Sequence, residues 1–208
     1  VSAPGPAVDA LTARFVAALG RRGAMAELMA LASLRGAPLL TATPPDLPVL
    51  AHLDEAVARV GDEVDGQLRE AVALVAGRAA WTRTAGYAAD EALFAGYAHA
   101  MLRGPADADD ADPDDDVALG LVLLGPDVHY RAHHHPAEEY YLPLGAIRWD
   151  HGDGWVDEPA GELIHHDPWQ PHAMATGDRP VLLAYLWFGE VATPSSLATG
   201  DPSNDDAP

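Results

Sequence analysis

Twelve residues, Tyr130-Arg-Ala-His-His-His-Pro-Ala-Glu-Glu-Tyr-Tyr141, hold three histidines, two glutamates and three tyrosines in a chain with only ten histidines and six tyrosines. If His133 to Tyr141 runs extended, the two-residue period of side chains sends His133, His135, Glu139 and Tyr141 to one face and His134, Glu138 and Tyr140 to the other. One face then carries two imidazoles, a carboxylate and a phenol. Mixed nitrogen and oxygen donors of this kind suit a first-row divalent metal (Zn, Fe, Mn, Ni or Co) better than calcium or magnesium. The chain has no cysteine, which excludes a thiolate zinc site, an Fe–S cluster, a disulfide framework and a thiol nucleophile.

A face of this kind needs strands to carry it, and the second half of the chain supplies them. Val117 to Leu124 is an apolar run ended by Gly125-Pro126. Strand-length pieces follow at Val128–His135, Glu139–Leu144, Ala146–Asp150, Trp155–Glu158, Glu162–His165, His172–Thr176 and Val181–Phe188. Between them stand Pro136, Gly145, Gly152-Asp-Gly154, Pro159-Ala-Gly161, Asp167-Pro168 and Gly177-Asp178 as turn signals. Many short strands at this spacing indicate a sandwich or barrel.

The first half reads as helical. Val8, Leu11, Phe15 and Leu19 form an apolar stripe from Ala7 to Arg22, and Met25, Leu28, Met29 and Ala32 form another from Ala24 to Leu34, with both methionines expected in the core. Leu39 to Pro48 is a connector. Leu50, Leu53, Val57, Val60, Val64, Leu68, Val72 and Val75 recur at steps of three or four, which predicts one long helix despite Gly61 and Gly66, each costing about 1 kcal/mol against alanine. Tyr97 to Leu102 reads equally as a strand or a helical turn. Seven aspartates between Asp107 and Asp116 lack the spacing of a calcium loop and read as a solvated loop. The expected organisation is a helical region over 1–90, a β-barrel over 91–192 and a disordered tail over 193–208.

The formal charge of −20 repels nucleic acid and anionic membranes, and no apolar run approaches the roughly 20 residues of a membrane span. The first residues have neither the charged nor the apolar segment of a signal peptide, so a cytoplasmic location is expected. Nucleic-acid and membrane partners are therefore not expected, and the expected partner is a small-molecule substrate. The apolar face of the N-terminal helices is available to cap the barrel, to close over a site as a lid, or to pair with a second copy in a homodimer.

Two blocks organise the β half: Gly125-x3-His129-x3-His133-x-His135-x3-Glu139-x5-Gly145, then Gly161-x6-Pro168-x3-His172. The pair resembles the two motifs of the cupins, jelly-roll barrels in which HxHxxxE and a later histidine converge on a metal. The resemblance implies His133, His135, Glu139 and His172 as ligands. The spacing from Gly125 to Glu139 is not the usual one, and Thr176 stands where the family often has Asn. His165 and His166 rival His172 as the last ligand, while His129, His134 and His151 are expected outside the first set.

Within the cupins, Gly-Pro-x3-Tyr130, His135-Pro-Ala-Glu-Glu-x-Tyr141, Trp169-Gln-Pro-His172 and Trp187 look like the cupin-type dimethylsulfoniopropionate lyases. Those enzymes also precede the barrel with helices. The resemblance implies a carbon–sulfur lyase that forms dimethyl sulfide and acrylate by β-elimination. Tyr141 would be the base and a further metal ligand. Tyr130 is the second candidate base, although simple alternation sends it to the opposite face unless a turn or bulge intervenes. Trp187, Tyr185, Trp169 and Tyr130 would contact the substrate, the aromatics by cation–π attraction to the sulfonium. A cupin Fe(II) oxygenase using the same four ligands and a non-catalytic ligand-binding cupin are the other readings, because one fold hosts many functions.

Overall fold

A computed structural model describes residues 4–33, 40–41, 45–60, 66–104 and 117–198. Five α-helices come first: α1 (Pro4–Arg22), α2 (Met25–Ser33), α3 (Leu53–Ala58), α4 (Gly66–Ala76) and α5 (Glu91–Gly96), with 3-10 turns at Pro48–His52 and Ala85–Tyr87. Ten strands follow: β1 (Tyr97–Arg103), β2 (Val117–Leu124), β3 (His129–His134), β4 (Glu138–Pro143), β5 (Ile147–Asp150), β6 (Trp155–Glu158), β7 (Ile164–His166), β8 (His172–Ala175), β9 (Val181–Phe188) and β10 (Ser196–Leu197).

The strands form two five-stranded antiparallel sheets, β1-β2-β9-β4-β7 and β10-β3-β8-β5-β6, stacked as the cupin-type jelly roll expected. Tyr97 to Leu102, ambiguous in sequence, is strand.

Strand parity explains how the first sheet serves two layers. In β2, Val117, Leu119, Leu121 and Leu123 join the helices in one hydrophobic cluster, while Val122 and Leu124 join the barrel interior. β9 divides in the same way, with Leu182, Ala184 and Leu186 toward the helices and Val181, Leu183 and Tyr185 inward. A sheet covered on both faces reads as an unbroken apolar run, and every residue of β2 is buried. In β4, Tyr140 and Leu142 face the helices and Tyr141 faces inward. Helices α1 to α4 thus cover the back of this sheet, and none of their residues lines the cavity described below.

Three expectations are corrected in the helical part and beyond. The long helix is two: α3 ends at Ala58 and α4 begins at Gly66, with Arg69 Nε donating to the Val60 carbonyl at 2.9 Å across the break. Met25 and Met29 are 64% and 72% exposed, because α2 turns Leu28 and Leu31 toward the core instead. From Thr193, read as a tail, the chain returns to the barrel: Ser196 and Leu197 pair with His134 and His133, and the Ala198 amide donates to the Ala132 carbonyl at 2.7 Å. The aspartate-rich run 107–116 and residues 199–208 lie outside the described residues. Among the described residues, no helix is long and apolar enough to cross a membrane.

Candidate metal centre and aromatic cavity

The histidine and glutamate stretch is not one strand. β3 lies in one sheet and β4 in the other, so the chain changes sheets through His135-Pro136-Ala137. Both strands still turn their donor side chains into the space between the sheets. His135, Glu139 and His172 offer ligand atoms within 4.8 Å of one another, all three residues buried. Register brings the remaining ring close: His133 pairs opposite His172, and their ring centroids lie 4.1 Å apart.

Each imidazole is oriented by the same device. Nδ1 of His133, His135 and His172 lies 3.0, 2.9 and 3.0 Å from the carbonyls of Arg131, Ala137 and Gln170. A carbonyl only accepts, so each Nδ1 carries the proton and each Nε2 is left for another partner. Nε2 of His133 and of His172 are buried without a hydrogen-bond partner; the 3.3 Å approach of His172 Nε2 to Glu139 Oε2 is not aligned as one. His135 Nε2 lies 2.7 Å from the same Glu139 Oε2. Two acceptors at that separation repel unless a proton or a metal cation lies between them. This donor set, with orphaned buried lone pairs, fits a first-row divalent ion.

The electrostatics agree. Burial would raise the Glu139 carboxyl, but His135 and then His172 outweigh it and hold it well below the usual carboxylate range. Burial would lower His135, yet the Glu139 charge raises it. Burial, reinforced by His172, pushes His133 well down, so it is a neutral imidazole with a free lone pair.

A cavity of about 620 Å³ opens onto this group, with Glu139 and His133 reaching it. Its wall is aromatic: Tyr97, Tyr130, Tyr141, Tyr185 and Trp187. Residues 83–86 and 191–196 line its mouth, apart from Thr193. Tyr130 faces inward because the β3–β8 register shifts between Tyr130 and His133, the irregularity that simple alternation lacked. Its ring then stacks on His133 at 4.0 Å and 5°. Tyr141 is 3% exposed, with its ring 6.1 Å from that of His172. Burial, followed by the Glu139 charge, pushes its phenol well above the ordinary tyrosine value. Tyr185 fits because its register partner is Gly120, where a Cβ would meet the Tyr185 ring at 2.3 Å.

Two expected roles change. Trp169 is 56% exposed and packs edge-on against His134, so it does not line the cavity. It instead anchors the loop before β8, its amide donating to the His135 carbonyl at 2.8 Å from a left-handed φ of 65°. Trp187 does more than line the wall: its Nε1–H donates to Glu139 Oε1 at 2.6 Å and its ring lies 4.3 Å from His135.

His166, considered beside His172 as a ligand, is the layer behind it. The two rings stack at 4.0 Å and 5°, and His166 Nε2 accepts from Trp149 Nε1 at 3.1 Å. Burial, then His172, pushes His166 down to about 2, so it is neutral. His165 and His151 face outward onto Glu138 and Glu158. Tyr87 and Ser195, which sequence reasoning passed over, are joined to Tyr130 by hydroxyl contacts. No local motif marks either residue.

A model of the dimethylsulfoniopropionate lyase family matches residues 23–183. A putative dimethylsulfoniopropionate lyase, DddL, of Cereibacter sphaeroides is 37% identical over 158 residues, covering 73% of this chain and 64% of the relative. The dimethylsulfoniopropionate lyase DddQ of Ruegeria pomeroyi is 32% identical over 81 residues, 38% of this chain and 40% of that protein. The chain therefore spans less than two thirds of the length of these curated relatives. The crystal structure of DddQ from Ruegeria pomeroyi superposes with a TM-score of 0.69 at 28% identity, covering 93% of this chain and 96% of that one.

Proposed function

The chain belongs to the dimethylsulfoniopropionate lyase family, and on that premise we propose that it cleaves dimethylsulfoniopropionate to dimethyl sulfide and acrylate. The observation that carries this reading is an aromatic cavity, lined by two inward-facing phenols, Tyr130 and Tyr141, that reaches the buried His135-Glu139-His172 group at Glu139.

The substrate has a carboxylate and a dimethylsulfonium on adjacent methylenes. His133, His135, Glu139 and His172 would hold one divalent ion, Zn, Fe, Mn, Ni or Co, and Tyr141, whose phenol interacts with Glu139, would join them. Such an ion, when bound, supplies Lewis acidity toward the substrate carboxylate and a positive charge that offsets the burial holding Tyr141 protonated. Trp187 fixes Glu139 Oε1 and leaves Oε2 toward the histidines.

In the reaction, Tyr141 would act as the phenolate, having first released its own proton to solvent, and its oxygen takes the proton from the carbon α to the carboxylate. The C–H pair becomes the new C=C bond as the C–S bond breaks, and dimethyl sulfide leaves with that bond's electrons. Acrylate remains, and Tyr141 holds the proton. Tyr185 and Trp187 present aromatic faces to the sulfonium, where a desolvated cation–π contact is worth about 2 kcal/mol. Tyr130 has its hydroxyl tied to Tyr87 and is assigned to holding substrate rather than to taking the proton.

The test is headspace detection of dimethyl sulfide from metal-reconstituted protein under argon, before and after chelation. Release under argon that stops on chelation is expected. Turnover that requires oxygen would instead assign the site to oxygenase chemistry, and metal binding with no turnover of any sulfonium acid would make it a binding protein.

A further inference from the structure

Tyr87 is fully buried and does not line the cavity, yet its hydroxyl stands between two that do. It lies 3.0 Å from the Tyr130 hydroxyl and in contact with Ser195 Oγ. The chain Ser195–Tyr87–Tyr130 therefore runs from the cavity mouth to the ring stacked on His133. It joins two segments distant in sequence, the 3-10 turn Ala85–Tyr87 and the stretch between β9 and β10, which β10 pins to β3. The nearby Tyr97 hydroxyl lies 3.1 Å from Thr84 Oγ1 and also interacts with the Tyr130 hydroxyl.

Each hydroxyl has one proton, so Tyr87 donates to one neighbour at a time, and the two arrangements that use its buried proton run in opposite directions. Outward, Tyr130 donates to Tyr87 and Tyr87 to Ser195, leaving a lone pair facing the cavity. Inward, Ser195 donates to Tyr87 and Tyr87 to Tyr130, so the Tyr130 O–H is directed into the cavity. An anion beside Tyr130 selects the inward direction, and successive hydrogen bonds polarise one another so that the terminal donor is strengthened.

We infer that Tyr87 and Ser195 are positioning residues that orient the Tyr130 hydroxyl as a hydrogen-bond donor to the carboxylate of the substrate. The inference rests on the lyase reading above for the substrate's chemistry. The device sorts the two ends of the substrate: the hydroxyl chain serves the carboxylate end, and the Tyr185–Trp187 wall serves the cation.

The test separates those ends with two fragments binding to the zinc-loaded full chain, propionate for the anion and trimethylsulfonium for the cation. Tyr87→Phe keeps the ring that packs edge-on to Tyr130 at 5.6 Å and removes the hydroxyl. It is expected to weaken propionate about tenfold while leaving trimethylsulfonium within about twofold, as the loss of one oriented bond to a charged group implies. Ser195→Ala removes only the far end of the chain and is expected to weaken propionate about threefold, with Ser195→Thr restoring it. Equal weakening of both fragments, or unchanged propionate binding in Tyr87→Phe, would overturn the inference. Absence of dimethyl sulfide from the wild-type protein would overturn the lyase reading alone, since the fragment ratios do not depend on turnover.

Discussion

Replacing Trp187 by phenylalanine removes the indole N–H donor together with the pyrrole ring and keeps an aromatic side chain. The indole Nε1–H donates to Glu139 Oε1 at 2.6 Å, inside a site where Glu139 is wholly buried. Hydrogen bonds to a charged group contribute about 1.5–3 kcal/mol, and those that orient a metal ligand typically change metal affinity 10- to 100-fold. The indole ring also lies 4.3 Å from the His135 ring, a position where phenylalanine still offers an aromatic face. Trp187→Phe is therefore expected to weaken zinc binding by about 10- to 100-fold, measured by competition with a chromophoric chelator, with an unchanged circular dichroism spectrum. Activity should fall at limiting metal and largely return at saturating metal. Zinc affinity equal to wild type would refute the reasoning, because Glu139 would then need no second partner to hold its carboxylate.

Two further outcomes follow from the packing and from burial. Gly120→Ala places a Cβ 2.3 Å from the Tyr185 ring and 2.4 Å from the Ala100 carbonyl oxygen. It is expected to cost about 1–3 kcal/mol by urea unfolding and to weaken trimethylsulfonium binding as the ring is displaced; wild-type values for both would contradict the packing. Burial lowers His99 from 6.5 to about 4, so on unfolding below pH 6.5 the chain takes up a proton that the fold excludes. Stability should thus fall as pH drops from 6.5 toward 4, by up to about 1.4 kcal/mol per pH unit, and His99→Gln should flatten that slope by one proton. An identical slope in the variant would refute it.

The sequence was most legible where burial is complete and turns are sharp. β2, β6 and β9 begin and end where the turn residues placed them, since Gly125-Pro126 and Gly177-Asp178 leave little freedom. Parity also placed Glu139 and Tyr141 on the inner face, although the chain changes sheets at His135-Pro-Ala137 where one extended strand was expected. What parity misses is local irregularity and distance. The bulge that turns Tyr130 inward has no residue signature. Trp187 reaches Glu139 only because β9 pairs with β4, with Glu139 opposite Trp187. Met25 and Met29 were misplaced because their periodicity fits two faces of α2, and only packing against α1 selects one. Trp169 carried an aromatic label suited to the cavity, yet its left-handed backbone and loop position turn it to solvent.

The central claim is that the Tyr141 phenolate removes a proton beside a metal held by His133, His135, Glu139 and His172. Its most direct measurement is the turnover of dimethylsulfoniopropionate by Tyr141→Phe with metal content determined on the same sample. A positioned base contributes about 10²- to 10⁴-fold, so the variant should retain one metal per chain and lose at least about 100-fold in rate. Wild-type turnover by a fully metallated Tyr141→Phe protein would contradict the account.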